Sequence, residues 1–238
     1  MKCPFCRKND LYSIYNTKNM YWRCKNCNGI IRDKSFLLSP PEQKKRYLYH
    51  NNDINDPGYK KFLMDFIQPI LDEASQNCSI IQKPITRIID YGCGPIKIET
   101  LSNLNCIFQA LVEKSNSDNQ TLFASDCELL QWDPFFSPNP IALKDPADLV
   151  CCLEVVEHFE NSKDDFEYLA KACKVGGIVV IGTMLVPDKD EDFKKWWYKN
   201  DATHVSFYSL ESLKQCGINV GLQYVKALTE RCFMFVKI

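Results

Sequence analysis

Arg87-Ile88-Ile89-Asp90-Tyr91-Gly92-Cys93-Gly94-Pro95 is the stretch whose reading decides the fold. A short β-branched run ends in an acid, and a Gly-x-Gly turn follows. Such a run suits a buried strand. Neither glycine carries a Cβ, so the backbone can turn sharply and come close to a ligand. A helical pattern begins near Ile96. Strand, turn and helix in that order predict one unit of a parallel sheet, whose ligands bind outside the carboxyl ends of the strands. Asp90, at that end, is placed to meet a ligand ammonium.

Upstream lies a second constellation, Cys3-x2-Cys6, then seventeen residues, then Cys24-x2-Cys27. Each pair can form a tight knuckle, and two knuckles close a tetrahedron of thiolates about one Zn²⁺. A four-cysteine site has no open position, so it is structural. It also supplies folding energy that a module of about 35 residues lacks. Gly29 fits a turn after the second pair. These features give three segments: a zinc ribbon at 1–38, a helical connector at 39–84 and a larger domain at 85–238. In the connector, Ser39 with Pro40 and Pro41 reads as the start of a helix running to His50. Asn51-Asn52-Asp53 and Asp56-Pro57-Gly58 mark a loop. From Tyr59 to Leu71, Phe62, Leu63, Phe66, Ile67, Ile70 and Leu71 recur at helical spacing.

The chain has 238 residues and 13 cysteines. No apolar run approaches the roughly 20 residues that span a bilayer. Met1-Lys2-Cys3-Pro4 opens without an apolar segment of the secretory kind, so a cytoplasmic location is expected. There the thiols are metal ligands and free buried side chains rather than disulfides. Residues 1–46 hold eleven Lys and Arg and three acids, a charge of +8, against −9 for the remainder. A basic head on an acidic body suits either a phosphate-bearing partner or a merely solvated surface.

Downstream lie Leu129-Leu-Gln-Trp-Asp133 and Asp148-Leu-Val-Cys-Cys-Leu-Glu154, each ending in an acid, with Val155-Val-Glu-His-Phe159 after the second. The stretch from Leu169 to Ile181 holds Gly176-Gly177 in its middle. Ser209 caps a helix that Gly217 ends. Leu222–Leu228 and Cys232–Ile238 read as a closing hairpin. Together with Asp90–Pro95, these motifs resemble, in order, those of class I S-adenosylmethionine-dependent methyltransferases. By that resemblance the two acid-ended stretches are strands, and Leu169 to Ile181 is a helix, a Gly176-Gly177 turn and a strand. The stretch from Trp197 to Ser209 resembles a bacterial group in which such a domain follows a zinc ribbon.

The resemblance implies an α/β fold with a doubly wound, mostly parallel seven-stranded sheet and S-adenosylmethionine as methyl donor. It implies that Asp90, Gly92, Gly94, Asp133, Phe135 and Glu154 shape the donor site. Asp133 would read the ribose hydroxyls, with Asp126 as competitor. Phe135 and Phe136 would border the adenine. His204, in a loop over the acceptor pocket, His158 and Glu154 would line the face where the methyl leaves, the histidines as candidate bases. If helical, Glu154 and His158 would share a face. Trp196, Trp197 and Tyr198 would wall the acceptor, and His50 is a candidate lid residue. Two departures stand out. Ile96 and Lys97 replace the usual small residue, and the gap from Gly94 to Asp133 implies a long helix through Leu101–Val112 or an insertion at 114–120. The acceptor reads as a small molecule or RNA. Two other functions remain open: a nicotinamide oxidoreductase, disfavoured by Lys97 where a third glycine belongs, and a ribbon-based binding module with an inactive methyltransferase-like domain.

Overall fold

The computed structural model describes residues 2–15, 19–49, 55–76, 84–95, 123–138 and 141–238. The readings made on His50–Asp53, on the helix after Pro95 and on the insertion at 114–120 lie outside them.

Apolar runs buried on both faces build the main sheet. Its strands are β4 (Ile85–Tyr91), β5 (Phe123–Trp132), β6 (Ala147–Leu153), β7 (Cys173–Gly182), β9 (Leu222–Thr229) and β10 (Cys232–Lys237). Among the described residues the order is β5-β4-β6-β7-β10-β9. The first four are parallel, and the closing hairpin is antiparallel, as expected. Successive side chains point to opposite faces. Ile89, Val150, Cys152, Val179, Ile181, Phe233 and Phe235 enter one core, while Ile88, Leu149, Cys151, Ile178, Val180 and Met234 enter the other. The second core is closed by Phe66 and Ile70 of α2 (Pro57–Gln76). The first is closed by α4 (Ser162–Lys171), through Phe166 and Leu169, and by α6 (Leu210–Ile218), through Leu213 and Cys216.

The cysteine-rich head closes the same core. Cys3, Phe5, Cys24 and Cys27 are buried in it, and the Phe5 ring lies 4.9 Å from that of Tyr208. A second, antiparallel sheet runs β1 (Leu11–Tyr15), β2 (Met20–Cys24), β3 (Ile30–Arg32), β8 (Ser206–Phe207). Its fourth strand thus comes from the other end of the chain, with Ile30 opposite Phe207 and Ile31 opposite Ser206. Arg23 of β2, almost fully buried, pairs with Asp190 at 2.9 Å and donates to the carbonyls of Pro187 and Asp188. Asp190 opens α5 (Asp190–Lys195).

Several local expectations shift. The connector helix, α1 (Pro40–Tyr47), starts at the prolines and ends before His50. Its capping box closes as the Ser39 N–H and hydroxyl donate to Glu42. Gly176 and Gly177 lie inside β7, not in a turn before it. Pairing with β6 jumps there from Cys173 to Ile178, and Gly176 takes a φ of +79°. Gly29 supplies no turn either. The left-handed residues of the two knuckles are Arg7 and Asn28, and a Cβ on Gly29 would fall 2.5 Å from the Phe5 ring. Among the described residues no helix is long and apolar enough to cross a membrane.

Phe5 joins head to sheet, so Phe5→Ala should lower the stability of the whole chain by about 3–5 kcal/mol, the usual cost of emptying a buried phenylalanine site. Urea unfolding followed by tryptophan fluorescence and by far-UV dichroism should give coincident transitions, both shifted. Loss of the head alone, with the sheet transition unmoved, would contradict this packing.

Candidate active site

A cavity of about 1030 Å³ opens at the carboxyl ends of β4, β5 and β6. That is the upper end of the range for small-molecule sites, roughly 300–1,000 Å³. The Gly92–Pro95 turn forms one wall and the 154–160 turn another. The loop at 197–204 and residues of α1 and α2 close it.

At the glycine turn, the N–H groups of Gly92 and Cys93 donate to the Trp132 carbonyl at 2.7 and 3.2 Å. Gly92 and Gly94 both take positive φ, +79° and +69°. A Cβ on Gly92 would meet the Val155 side chain at 2.4 Å, so this glycine lets the 155 turn press against the loop. Asp133 sits just past β5 and is buried. Its carboxylate accepts from Gly94 N–H at 3.0 Å and from Phe135 and Phe136 N–H at 2.8 and 3.0 Å. One acid therefore fixes the glycine turn and its own turn together. Asp126, the competitor, lies within β5 and borders a separate hollow with Thr86, Arg87 and Lys174. Asp90 lines the cavity and accepts from Gln131 Nε2 at 3.3 Å. Desolvation pushes its carboxyl up to about 6, with the nearby Asp133 charge adding to the rise. Phe135 lines the cavity and stacks at 5.7 Å on Tyr47 of α1. Phe136 also packs near Tyr47, at 6.5 Å.

At the other end, Glu154 takes a left-handed φ of +55°, strained for a residue with a side chain. Only Val156–His158 forms a helical turn, of the 3-10 type, so Glu154 and His158 do not share a helix face. Glu154 is held by Arg231 at 2.8 Å and by the Tyr198 hydroxyl at 3.0 Å. Three residues on, Glu157 is fully buried and accepts from Tyr198 at 2.5 Å and Thr183 at 3.0 Å. Burial raises its pKa, and the Glu154 charge raises it further. His158 and His204 both line the cavity, their rings 4.8 Å apart. His158 Nδ1 lies 3.0 Å from the Thr203 carbonyl, and His204 Nδ1 lies 2.8 Å from the Tyr198 carbonyl. A carbonyl can only accept, so each Nδ1 is protonated and each neutral ring has its lone pair on Nε2. Trp197 and Tyr198 line the cavity, whereas Trp196 packs with Phe193, Tyr198 and Phe207.

Cys3, Cys6, Cys24 and Cys27 bring their sulfurs within 4.8 Å of one another, with Cys3–Cys27 and Cys6–Cys24 both at 3.6 Å. Zinc–sulfur bonds of about 2.3 Å in a tetrahedron place sulfurs about 3.8 Å apart, so the four thiols fit one ion. Glu157, His158 and His204 also bring ligating atoms within 4.8 Å, with the Glu157 carboxylate already engaged by Tyr198 and Thr183.

Sequence reasoning passed over Glu157, Tyr198 as the hydroxyl set between two carboxylates, and Arg46, which lines the cavity and pairs with Asp201 at 2.8 Å. The pattern Glu154-x2-Glu157-His158 carried a signal for Glu157. Arg46 had none, because its partner lies 155 residues away.

A sheet of this order, with a glycine turn and acids at the strand ends, defines a nucleotide-type α/β domain. Residues 56–227 match the family described as "Methyltransferase domain", and the chain belongs to that family. It is 27% identical over 164 residues to the mitochondrial ubiquinone biosynthesis O-methyltransferase of Dictyostelium discoideum, a match covering 60% of this chain and 48% of that protein. The chain thus spans about half the length of that relative. Among solved structures, it aligns with an O-methyltransferase family 2 protein from Planctomyces limnophilus in complex with apigenin, at 15% identity, over 84% of this chain and 62% of the other, with a TM-score of 0.47. It also aligns with magnesium protoporphyrin IX methyltransferase from Synechocystis with bound SAH, at 15% identity, over 86% and 98% of the two chains, with a TM-score of 0.43.

Asp90 gives a pH signature. Its folded pKa is raised above the unfolded value, so its contribution to stability is full at low pH and is lost as pH rises through about 6. Asp90→Asn removes this loss. Relative to the parent, the variant should gain stability as pH rises from about 4 to about 6.5 in urea titrations, with little further change above. A difference that does not change with pH would contradict the burial of Asp90 as the cause.

Proposed function

We propose that this chain transfers the methyl group of S-adenosylmethionine to a hydroxyl of a small, largely uncharged acceptor with an aromatic or apolar body, and that its four-cysteine cluster holds a structural zinc. The observation that carries the reading is the paired His158 and His204 rings, each with Nδ1 fixed on a backbone carbonyl and Nε2 basic, in the same cavity as the glycine turn.

When bound, the donor supplies a methyl already activated on a sulfonium. Asp90 suits its ammonium, and the turn at Gly92–Gly94 suits its close approach. Asp133, whose Oδ2 accepts only the Gly94 N–H and so keeps acceptor capacity, suits a ribose hydroxyl. Holding nucleophile, methyl carbon and sulfur in line supplies much of the rate. A hydroxyl acceptor must also shed a proton, and an imidazole that titrates near neutral pH is suited to take it.

The charge of the cavity supports a neutral acceptor over RNA or a nucleotide. Among the described residues it is lined by Asp90, Asp133, Glu154, Glu157, Glu160, Asp165 and Asp201 against Arg46, which is itself paired with Asp201. A phosphate there would face like charge. Of the basic head, Arg23 and Arg32 are buried in contacts with the rest of the chain. The lining also offers aromatic surface: Tyr47, Tyr59, Phe62, Tyr168 and Trp197. The likeness to an O-methyltransferase, partial as it is, points the same way.

With tritiated S-adenosylmethionine, label should pass to members of a panel of neutral phenols and catechols, and not to RNA oligomers or nucleoside diphosphates. His204→Ala should lower turnover by roughly 10²-fold, the scale of general-base catalysis, with S-adenosylhomocysteine affinity held within about twofold. Label on nucleotides alone, or full turnover in His204→Ala, would overturn the reading.

A further inference from the structure

The loop from Tyr198 to Val205 gives the carbonyls of Tyr198, Lys199, Asp201, Ala202 and Thr203 to just three side chains. The Tyr198 and Thr203 carbonyls face His204 and His158, as above. The other three face one guanidinium: Arg32 Nη2 donates to Lys199 O at 2.9 Å and to Asp201 O at 3.0 Å, and Arg32 Nη1 donates to Ala202 O at 3.0 Å. The backbone N–H of Arg32 donates to Val205 O at 2.8 Å, and the guanidinium lies 5.7 Å from the Tyr21 ring. Arg32 is the last residue of β3, just after the second cysteine knuckle, and is 5% exposed. Thus the segment that carries His204 and orients His158 is gripped from the cysteine-rich head.

The geometry suits arginine specifically. A planar fork with several fixed N–H vectors can span three carbonyls at once, and a lysine ammonium cannot reproduce that spread. A guanidinium this deep is costly unless its donors are met, and the three carbonyls meet Nη1 and Nη2, leaving Nε without a hydrogen-bond partner. Without it, the Lys199 and Ala202 carbonyls would turn to water, Asp201 O would keep only the His204 N–H at 3.2 Å, and the two carbonyls beside them would lose their places against the imidazoles. The loop would still keep other ties. Asp201 pairs with Arg46 and accepts from Thr203 N–H and hydroxyl at 2.9 and 2.6 Å, and Val205 N–H donates to Glu157 O at 2.8 Å. Losing Arg32 therefore loosens the loop without unravelling it.

We propose that Arg32 is a positioning residue for the His158–His204 pair, through which the metal-binding head sets the tautomer and placement of the imidazoles facing the acceptor. The proposal rests on the base role given to that pair above. It assigns the head a part in acceptor chemistry and none in donor binding.

Imidazole ¹⁵N spectra of the full-length protein, without acceptor, test it directly. In the parent protein at pH 7.5, His158 and His204 should show protonated Nδ1 and unprotonated Nε2. In Arg32→Met both rings should shift toward exchange between tautomers. S-adenosylhomocysteine affinity by calorimetry should stay within about twofold, while kcat should fall by about tenfold or more, a loss of acceptor-side function alone. Should Arg32→Met fail to fold, Arg32→Lys, which keeps the charge and stem but not the fork, is read by the same spectra. A merely structural role would lower stability and leave the tautomers alone, so parent-like spectra in the folded variant would overturn the proposal. Shifted tautomers with unchanged turnover would uphold the positioning and overturn the base role beneath it. Absence of methyl transfer in the parent would count against the functional reading only, since the spectra decide the positioning without it.

Discussion

A two-residue strand joins the halves of this protein. β8 consists of Ser206 and Phe207, and it completes the sheet begun by β1, β2 and β3. Strands so short have little stability of their own. This one persists because both flanks are fixed. Before it, Val205 N–H reaches Glu157 O and Val205 O receives Arg32 N–H. After it, Tyr208 is fully buried, donates to Val156 O at 2.9 Å and stacks on Phe5. Remove that pairing and the head loses its edge, while the loop over the cavity loses its floor.

The consequence is a division of labour within one packed body. The parallel strands place the glycine turn, Asp90, Asp133 and Glu154 at their carboxyl ends, the usual place for ligands in such sheets. The head and the 198–205 loop together place the histidines. Buried polar groups form the contact between the two parts: Tyr198 bridges Glu154 and Glu157, and Arg231 holds Glu154 from the closing hairpin. Within this network Arg231 Nη2 is satisfied by Glu154, while its Nε is buried without a hydrogen-bond partner. The left-handed backbone of Glu154 is one strained point in that network, and strain of this kind gathers at sites where geometry matters.

Much of this was legible in the sequence because it is local. A β-branched run, a Gly-x-Gly turn and an acid at fixed offsets encode β4 and its loop. Paired cysteines encode a metal-sized cluster, and the Thr229–Arg231 turn between two apolar runs encodes the hairpin. What escaped reading is non-local. Gly29 looks like a turn residue until Phe5 is seen packed where its Cβ would be. Arg23 and Arg32 look like surface charge until their carbonyl partners, more than 160 residues away, are brought to them. Gly176-Gly177 is a turn by resemblance, whereas the sheet absorbs it as an irregularity in β7. Charge counts over a segment cannot separate solvated cations from cations committed inside the protein, as Arg23 and Arg32 are here.

The central claim is that the cysteine-rich head and the histidine loop are one mechanical unit. Amide hydrogen exchange of protein prepared with zinc, before and after a chelator is added, tests it most directly. The amides to follow are Arg32 N–H and those of His204, Val205 and Ser206. They should lose protection together when the cluster is emptied, while amides in the centre of β4, β6 and β7 stay protected. Unchanged protection of the histidine loop, with exchange confined to the knuckles, would contradict the account.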